Sequence, residues 1–243
     1  MAVSEAALIR LREKRVYLIA AVLFPLIVLI GFGRTYYFKP FIEVPPLASY
    51  LVQIHGAIMT AWIMLFIAQV FLIRTKNVRV HQKLGYLGIG LAVLIVIAAF
   101  FTAIASAKRG NAPPGFPPLP FLAIPFFDLF TFSALFAAAV YYRKRPANHR
   151  RLMLIIAISL LPPAVARIPI PSLQAFGPLF FFGLPSLLCL VALFYDRWHS
   201  GKFNPVMVYA VIFLIASYPL RIMISGTDAW LAVANWLIGF SPV

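Results

Sequence analysis

Leu84–Ala107, LGYLGIGLAVLIVIAAFFTAIASA, contains no charged side chain. As a helix it would be about 36 Å long at 1.5 Å per residue, more than the roughly 30 Å of a bilayer's hydrocarbon core. Val16–Gly33, Val44–Ile73 and Ile168–Tyr195 are equally free of charge. Over 243 residues, 63% are hydrophobic and 11% charged, against about half and a quarter in an ordinary soluble domain. These numbers exclude a water-soluble globule and predict an all-α, polytopic membrane protein forming one transmembrane helical-bundle domain over 1–243.

Working outward, the pattern predicts seven spans, near 16–33, 47–73, 84–107, 119–142, 152–171, 177–195 and 205–225, with the core helices in 47–171. The net charge is +15, with 21 Lys and Arg against 6 Asp and Glu. Fifteen of the 21 bases fall before span one or after spans two, four and six, from Arg10, Arg12, Lys14 and Arg15 to Arg197 and Lys202. They read as topology signals that place the N-terminus in the cytoplasm, not as a nucleic-acid site. Val16–Gly33 reads as a retained anchor without a small-x-small cleavage pattern. The opposite loops, Thr35–Pro46 and Gly110–Pro118, are rich in proline and aromatics and suit the outer face. The segment after Asp228 is predicted as a short interfacial helix carrying Trp230 and Trp236, too short to cross. The single cysteine, Cys189, excludes an internal disulfide and any paired-cysteine metal motif.

Ionisable groups inside a membrane are costly, so each one is a functional hypothesis. His55, Asp128, Arg167 and Arg221 all fall in the outer half on this topology. His55, Trp62 and Gln69 are seven apart and share a stripe facing the protein interior. His55, Trp62, Asp128 and Arg167 are therefore candidate pocket residues. The competing readings are a packed stripe with a hydrogen-bonded histidine, and an Asp128–Arg167 ion pair holding spans four and five together. Span five carries Leu161-Pro162-Pro163-Ala164-Val165-Ala166-Arg167-Ile168-Pro169-Ile170-Pro171. Its prolines remove helical donors, and such a break at membrane depth needs protein or a lined cavity to satisfy it. A pocket beside Arg167 would suit an anionic or carbonyl-bearing ligand. A kinked helix end with a snorkelling arginine accounts for the same residues.

His81-Gln82-Lys83-Leu84 opens span three and His149-Arg150-Arg151-Leu152 opens span five, a four-residue similarity consistent with a parallel duplication or with chance. Asn148 is a good N-cap, which would make His149 the first helical residue. Two helix-borne imidazoles at matched depth could ligate a transition metal or a b-type haem, with Arg150 and Arg151 meeting propionates. Hence His81, His149, Arg150 and Arg151 are the candidate cofactor-binding residues, with His81 and His149 as the metal ligands. The alternative is that these are solvated loop residues. Span three presents Gly85, Gly88, Ala92, Ala99 and Ser106 near one face, a helix-packing pattern. Phosphate-loop, zinc-helix and Ser-His-Asp patterns are missing, and six acids leave little for carboxylate catalysis, which weighs against an enzyme.

His55-Gly56-Ala57-Ile58-Met59-Thr60-Ala61-Trp62, Val78-Arg79-Val80-His81-Gln82-Lys83-Leu84-Gly85 and Asn148-His149-Arg150-Arg151-Leu152-Met153, with Arg167 downstream, resemble a family of bacterial multi-pass membrane proteins classed as a domain of unknown function. The resemblance covers roughly 35–170 and implies an inner-membrane location. At the level of histidine placement, the chain is also faintly similar to membrane cytochromes b and to small oxidase-assembly proteins. Their four-histidine, two-haem pattern is not met, since His55 has no partner in the outer half. The function expected is a haem- or metal-binding redox or respiratory-assembly component. The alternatives are a small-molecule, lipid or proton-coupled transporter and a structural membrane subunit. The expected partners are the lipid bilayer and either a membrane complex or further copies of the chain.

Overall fold

A computed structural model describes residues 5–42, 49–113 and 115–240, with the side chains of 5–15 and of residue 240 excepted. Arg10, Arg12, Lys14 and Arg15, and Pro45, Pro46 and Pro114 of the expected outer loops, thus lie outside what can be described at side-chain level. The helices are α1 (Glu5–Phe32), α2 (Tyr50–Arg74), α3 (Val78–Lys108), α4 (Pro118–Phe121), α5 (Ala123–Tyr141), α6 (Pro146–Ser159), α7 (Pro162–Val165), α8 (Pro171–Gln174), α9 (Pro178–Ser200), α10 (Pro205–Ser225) and α11 (Asp228–Phe240). Among the described residues there is no strand.

Among the described residues, six segments are long and apolar enough to cross a membrane: Val16–Tyr37, Tyr50–Arg74, Val78–Lys108, Pro118–Lys144, Pro178–Ser200 and Pro205–Ser225. The fifth expected span, 152–171, is not one helix. α6 stops at Ser159, and Pro162 and Pro163 open α7 while Pro171 opens α8. Proline lacks the N–H that a continuing helix needs but suits a first turn, so each proline starts a piece instead of extending one. The interruption is satisfied locally. Leu161 N donates to Ile158 O at 3.0 Å, Ala164 N to Leu161 O at 2.9 Å and Arg167 N to Ala164 O at 3.0 Å.

α6 is enclosed from Leu152 to Ser159, Met153 excepted. Leu152, Leu154, Ile155, Ile156, Ala157 and Ile158 are all buried, and a helix apolar on every side belongs in an interior. Around it stand α1, α5, α9 and α10. The sequence placed the core at 47–171; α6 lies in that stretch but shares the core with helices on both sides of it. The α2–α3 hairpin packs beside α1 and α5. Its close approach uses Gly88, where a methyl group would come 3.2 Å from Leu65, and buried Ala92. At Gly31 a methyl group would fall on the Ala164 carbonyl, so a glycine lets α1 touch α7.

The bilayer is as apolar as leucine, so packing and interhelical polar contacts hold such a bundle together. Among the polar contacts that do so here are two ion pairs and an asparagine pair. Arg221 pairs with Asp128 between α10 and α5. Arg151 pairs with Asp196 between α6 and α9 at 2.8 Å. Asn204 Nδ2 donates to Asn148 Oδ1 at 2.9 Å while the Asn204 side chain caps α10 by accepting from Met207 N at 3.0 Å. Asn148 is therefore not the N-cap expected for α6. The helix begins two residues earlier, with Pro146 in its first turn, leaving the Asn148 amide to tie α6 to α10. α11 packs on the ends of α3 and α5, with Ala234 and Leu237 against Ala103, Ile104 and Leu122. Trp230 Nε1 donates to Leu119 O at 3.0 Å, whereas Trp236 is exposed.

Candidate functional site

The four ionisable residues expected to meet are sorted into two separate groups. Asp128 does not pair with Arg167. Its partner is Arg221, which is 0% exposed and donates from Nη1 to Asp128 Oδ1. Arg221 also donates from Nε to Ser217 O at 3.2 Å and from Nη2 to Ser217 Oγ at 3.0 Å. The rings of Tyr218, Phe182 and Phe127 surround it, with centroids at 5.0, 5.3 and 5.8 Å, a spacing at which ring faces attract a cation. Asp128 belongs to this structural tie. Trp62 is buried against Phe132 and Phe136, with ring centroids at 5.5 and 5.6 Å, and so forms part of the core packing.

His55 and Arg167 remain together. They are electrostatic neighbours, brought close by the start of α2 and the turn after α7. His55 Nδ1 is buried and without a hydrogen-bond partner. Arg167 donates from Nη1 to Pro163 O at 2.8 Å and stacks on Phe32, 4.9 Å from guanidinium carbon to ring centroid.

At the opposite ends of the helices, His81 and His149 also come within electrostatic reach of each other. His149 Nδ1 lies 2.8 Å from Ala139 O. A carbonyl can only accept, so Nδ1 carries the proton, and in the neutral ring the lone pair sits on Nε2. This arrangement, a ring N–H held by a backbone carbonyl, orients most metal-ligating histidines. His81 Nδ1 and Gln69 Oε1 are both buried without a partner, while Gln69 Nε2 donates to His81 O at 3.2 Å. Buried polar atoms without partners cost about 1–3 kcal/mol each and call for a ligand, ion or water. Gln69 completes the cluster, and the seven-residue stripe of α2 was the signal for it.

The basic residues expected beside these histidines behave differently. Arg151 is buried and committed: Nε donates to Asp196 Oδ1 and Nη1 to Ala147 O, both at 2.8 Å. That counts against its expected part in meeting a cofactor. The Arg150 guanidinium lies over the Tyr17 ring at 5.8 Å. Asp196, which the sequence reading left aside, is a bundle residue whose acidity at a helix end beside basic α6 was the available clue. His199 Nδ1 donates within its own helix to Tyr195 O at 2.9 Å. Among the described residues no group of three or more His, Cys, Asp or Glu gathers as a metal cage. Comparisons with family models, with curated proteins and with solved structures yield no match to this chain.

Proposed function

We propose that this is an integral membrane protein of redox or respiratory-assembly type, carrying a b-type haem or a transition metal between His81 and His149. The observation that carries the reading is the Nδ1–H of His149 held on Ala139 O, which leaves Nε2 as the acceptor nitrogen of a ring within electrostatic reach of His81, whose own Nδ1 is buried and unpartnered. Imidazole suits iron, copper, zinc and nickel alike. Two imidazoles would hold a haem iron, or would form part of a metal shell completed by Gln69 Oε1 or outside ligands. Bound there, such a group would supply one-electron chemistry or storage of the metal. The protein's part is to hold both histidines at the helix ends, His149 through its Nδ1–H on Ala139 O.

The reading includes the membrane setting. The chain would lie in a bacterial inner membrane with its N-terminus cytoplasmic and cross seven times, the broken stretch 146–165 serving as the fifth crossing. Support comes from its two ends: His149 bonds to the C-terminal part of α5, while Ala164 lies against Gly31 near the C-terminal end of α1. These contacts are at opposite ends of the bundle.

The test is the absorption spectrum of the detergent-purified chain, oxidised and dithionite-reduced, with metal analysis on the same sample. Expected are reduced bands of a b-type haem, or about one metal per chain, lost in His81→Ala and His149→Ala at unchanged elution volume. Wild-type content in both variants, or a colourless and metal-free protein, would overturn the assignment.

A further inference from the structure

We propose that His55 and Arg167 form an oxyanion site at the end of the bundle where α1 ends and α2 begins, taking a phosphate group from a phospholipid headgroup or from a free phosphate anion. The site is separate from the histidine pair at the other end of the helices and goes beyond that reading.

Arg167 is exposed, and among the described residues its only hydrogen bond is Nη1 to Pro163 O. The salt bridges among the described residues join other pairs, so no carboxylate among them answers its charge. A guanidinium has five N–H donors, so most of this fork is unused. Its plane is steadied by the Phe32 ring at 4.9 Å and by the Pro163 carbonyl, which fixes where the remaining donors lie. His55, within electrostatic reach, adds a second nitrogen, Nδ1, buried and unpartnered. The π-helical turn Gly33–Tyr37 closes over the same end of α2. Tyr36 OH donates to Gln53 O at 3.2 Å, its ring lies against Gly56, and Tyr37 OH shares a hydrogen bond with Thr60 Oγ1 at 3.0 Å.

Arg167 offers donors and positive charge, with Pro163 O as its one bonded acceptor among the described residues, so the complementary ligand is anionic and rich in acceptors. A phosphate fits the planar fork in a bidentate manner, and His55, as the tautomer protonated at Nδ1, would supply a third donor to it. The end of a spanning helix is also the level at which phospholipid phosphates lie. The interrupted chain between α7 and α8 leaves the approach to Arg167 free of a continuous helix.

The test measures thermal unfolding of the full chain in a non-ionic, phosphate-free detergent while titrating dihexanoyl-phosphatidylglycerol, inorganic phosphate, or dihexanoylglycerol as a phosphate-free control. Stabilisation by the phospholipid or by phosphate, with none from dihexanoylglycerol, is expected. The half-saturating concentration should rise about tenfold in Arg167→Gln and several-fold in His55→Asn, and stay unchanged in Arg143→Gln, an exposed cation at the end of α5. Response to phospholipid alone assigns a headgroup site; response to phosphate as well assigns a free anion. Arg167→Lys keeps the charge but loses the fork; should Arg167→Gln fail to fold, weaker binding by Arg167→Lys supports the same site. Absence of stabilisation by either phosphate source, or wild-type titrations in Arg167→Lys and His55→Asn, would overturn the proposal.

Discussion

Arg221 shows how a single buried charge constrains a membrane bundle. With its guanidinium at 0% exposure and Asp128 as its only acid among the described salt bridges, removal of the acid leaves an unanswered cation inside. Asp128→Ala should therefore cost about 3–5 kcal/mol, read as a lower unfolding temperature or loss of the monodisperse peak. Asp128→Leu combined with Arg221→Met, which removes both charges, should recover most of it; no recovery would mean that the pair has another task. His149 allows a similar separation of fold from site. His149→Asn keeps a donor for Ala139 O but removes the acceptor nitrogen Nε2, so unfolding should shift little while bound haem or metal disappears. Retained cofactor content in this variant would remove His149 from the ligand set. The ionisable residues themselves were legible in the sequence, because a charge inside an apolar run is conspicuous. Their pairing was not. Asp128 finds Arg221, 93 residues away, and not Arg167, because the partner depends on the rotation of each helix about its own axis, which no local pattern records.

Among the elements, the stretch after α6 was read from its prolines as broken backbone, and the break is there. What the prolines did not reveal is that the pieces are separate short helices and that α7 seats against α1. That contact rests on Gly31, where a side chain would fall on the Ala164 carbonyl. Gly31→Ala is expected to destabilise by about 1–3 kcal/mol, as overpacking does. Gly90 offers the contrast: nothing lies within 4 Å of the added carbon, so Gly90→Ala should be neutral or stabilising by up to about 1 kcal/mol through helix propensity. Thermal unfolding of both variants in one detergent checks the pair, and equal shifts would show that the α1–α7 approach is not tight. The start of α6 carries a related lesson. Asn148 has the chemistry of a cap, but Pro146 already begins the helix, and the asparagine is engaged by Asn204 of a distant segment.

At the scale of the whole molecule, the topology can be tested through the single cysteine. Cys189 is buried, so Cys189→Ala provides a background for cysteines placed one at a time at Asn111, Lys144, Ser172 and Lys202. With seven crossings, Asn111→Cys and Ser172→Cys should react with a membrane-impermeant maleimide on intact cells, while Lys144→Cys and Lys202→Cys should react only after permeabilisation. If Ser172→Cys behaves like Lys144→Cys, the stretch 146–165 does not cross. The central place of α6 explains why that stretch matters. Its Arg151 and Asn148 tie it to α9 and α10, so the helix that opens the broken stretch organises the helices around it.

Composition and the spacing of charge by themselves determine that this chain is a helical membrane protein and approximately where its long helices lie, because hydrocarbon tolerates only backbone that satisfies its own hydrogen bonds. They also expose the residues on which chemistry would rest, since histidine, arginine and aspartate stand out against apolar runs. Tertiary structure alone decided which of those residues meet: His55 with Arg167, His81 with His149 and Gln69, Asp128 with Arg221, and Arg151 with Asp196. Each grouping joins residues that come near one another only after their helices have packed at a particular depth and rotation, and those two variables are set by the complementary shapes of the whole bundle.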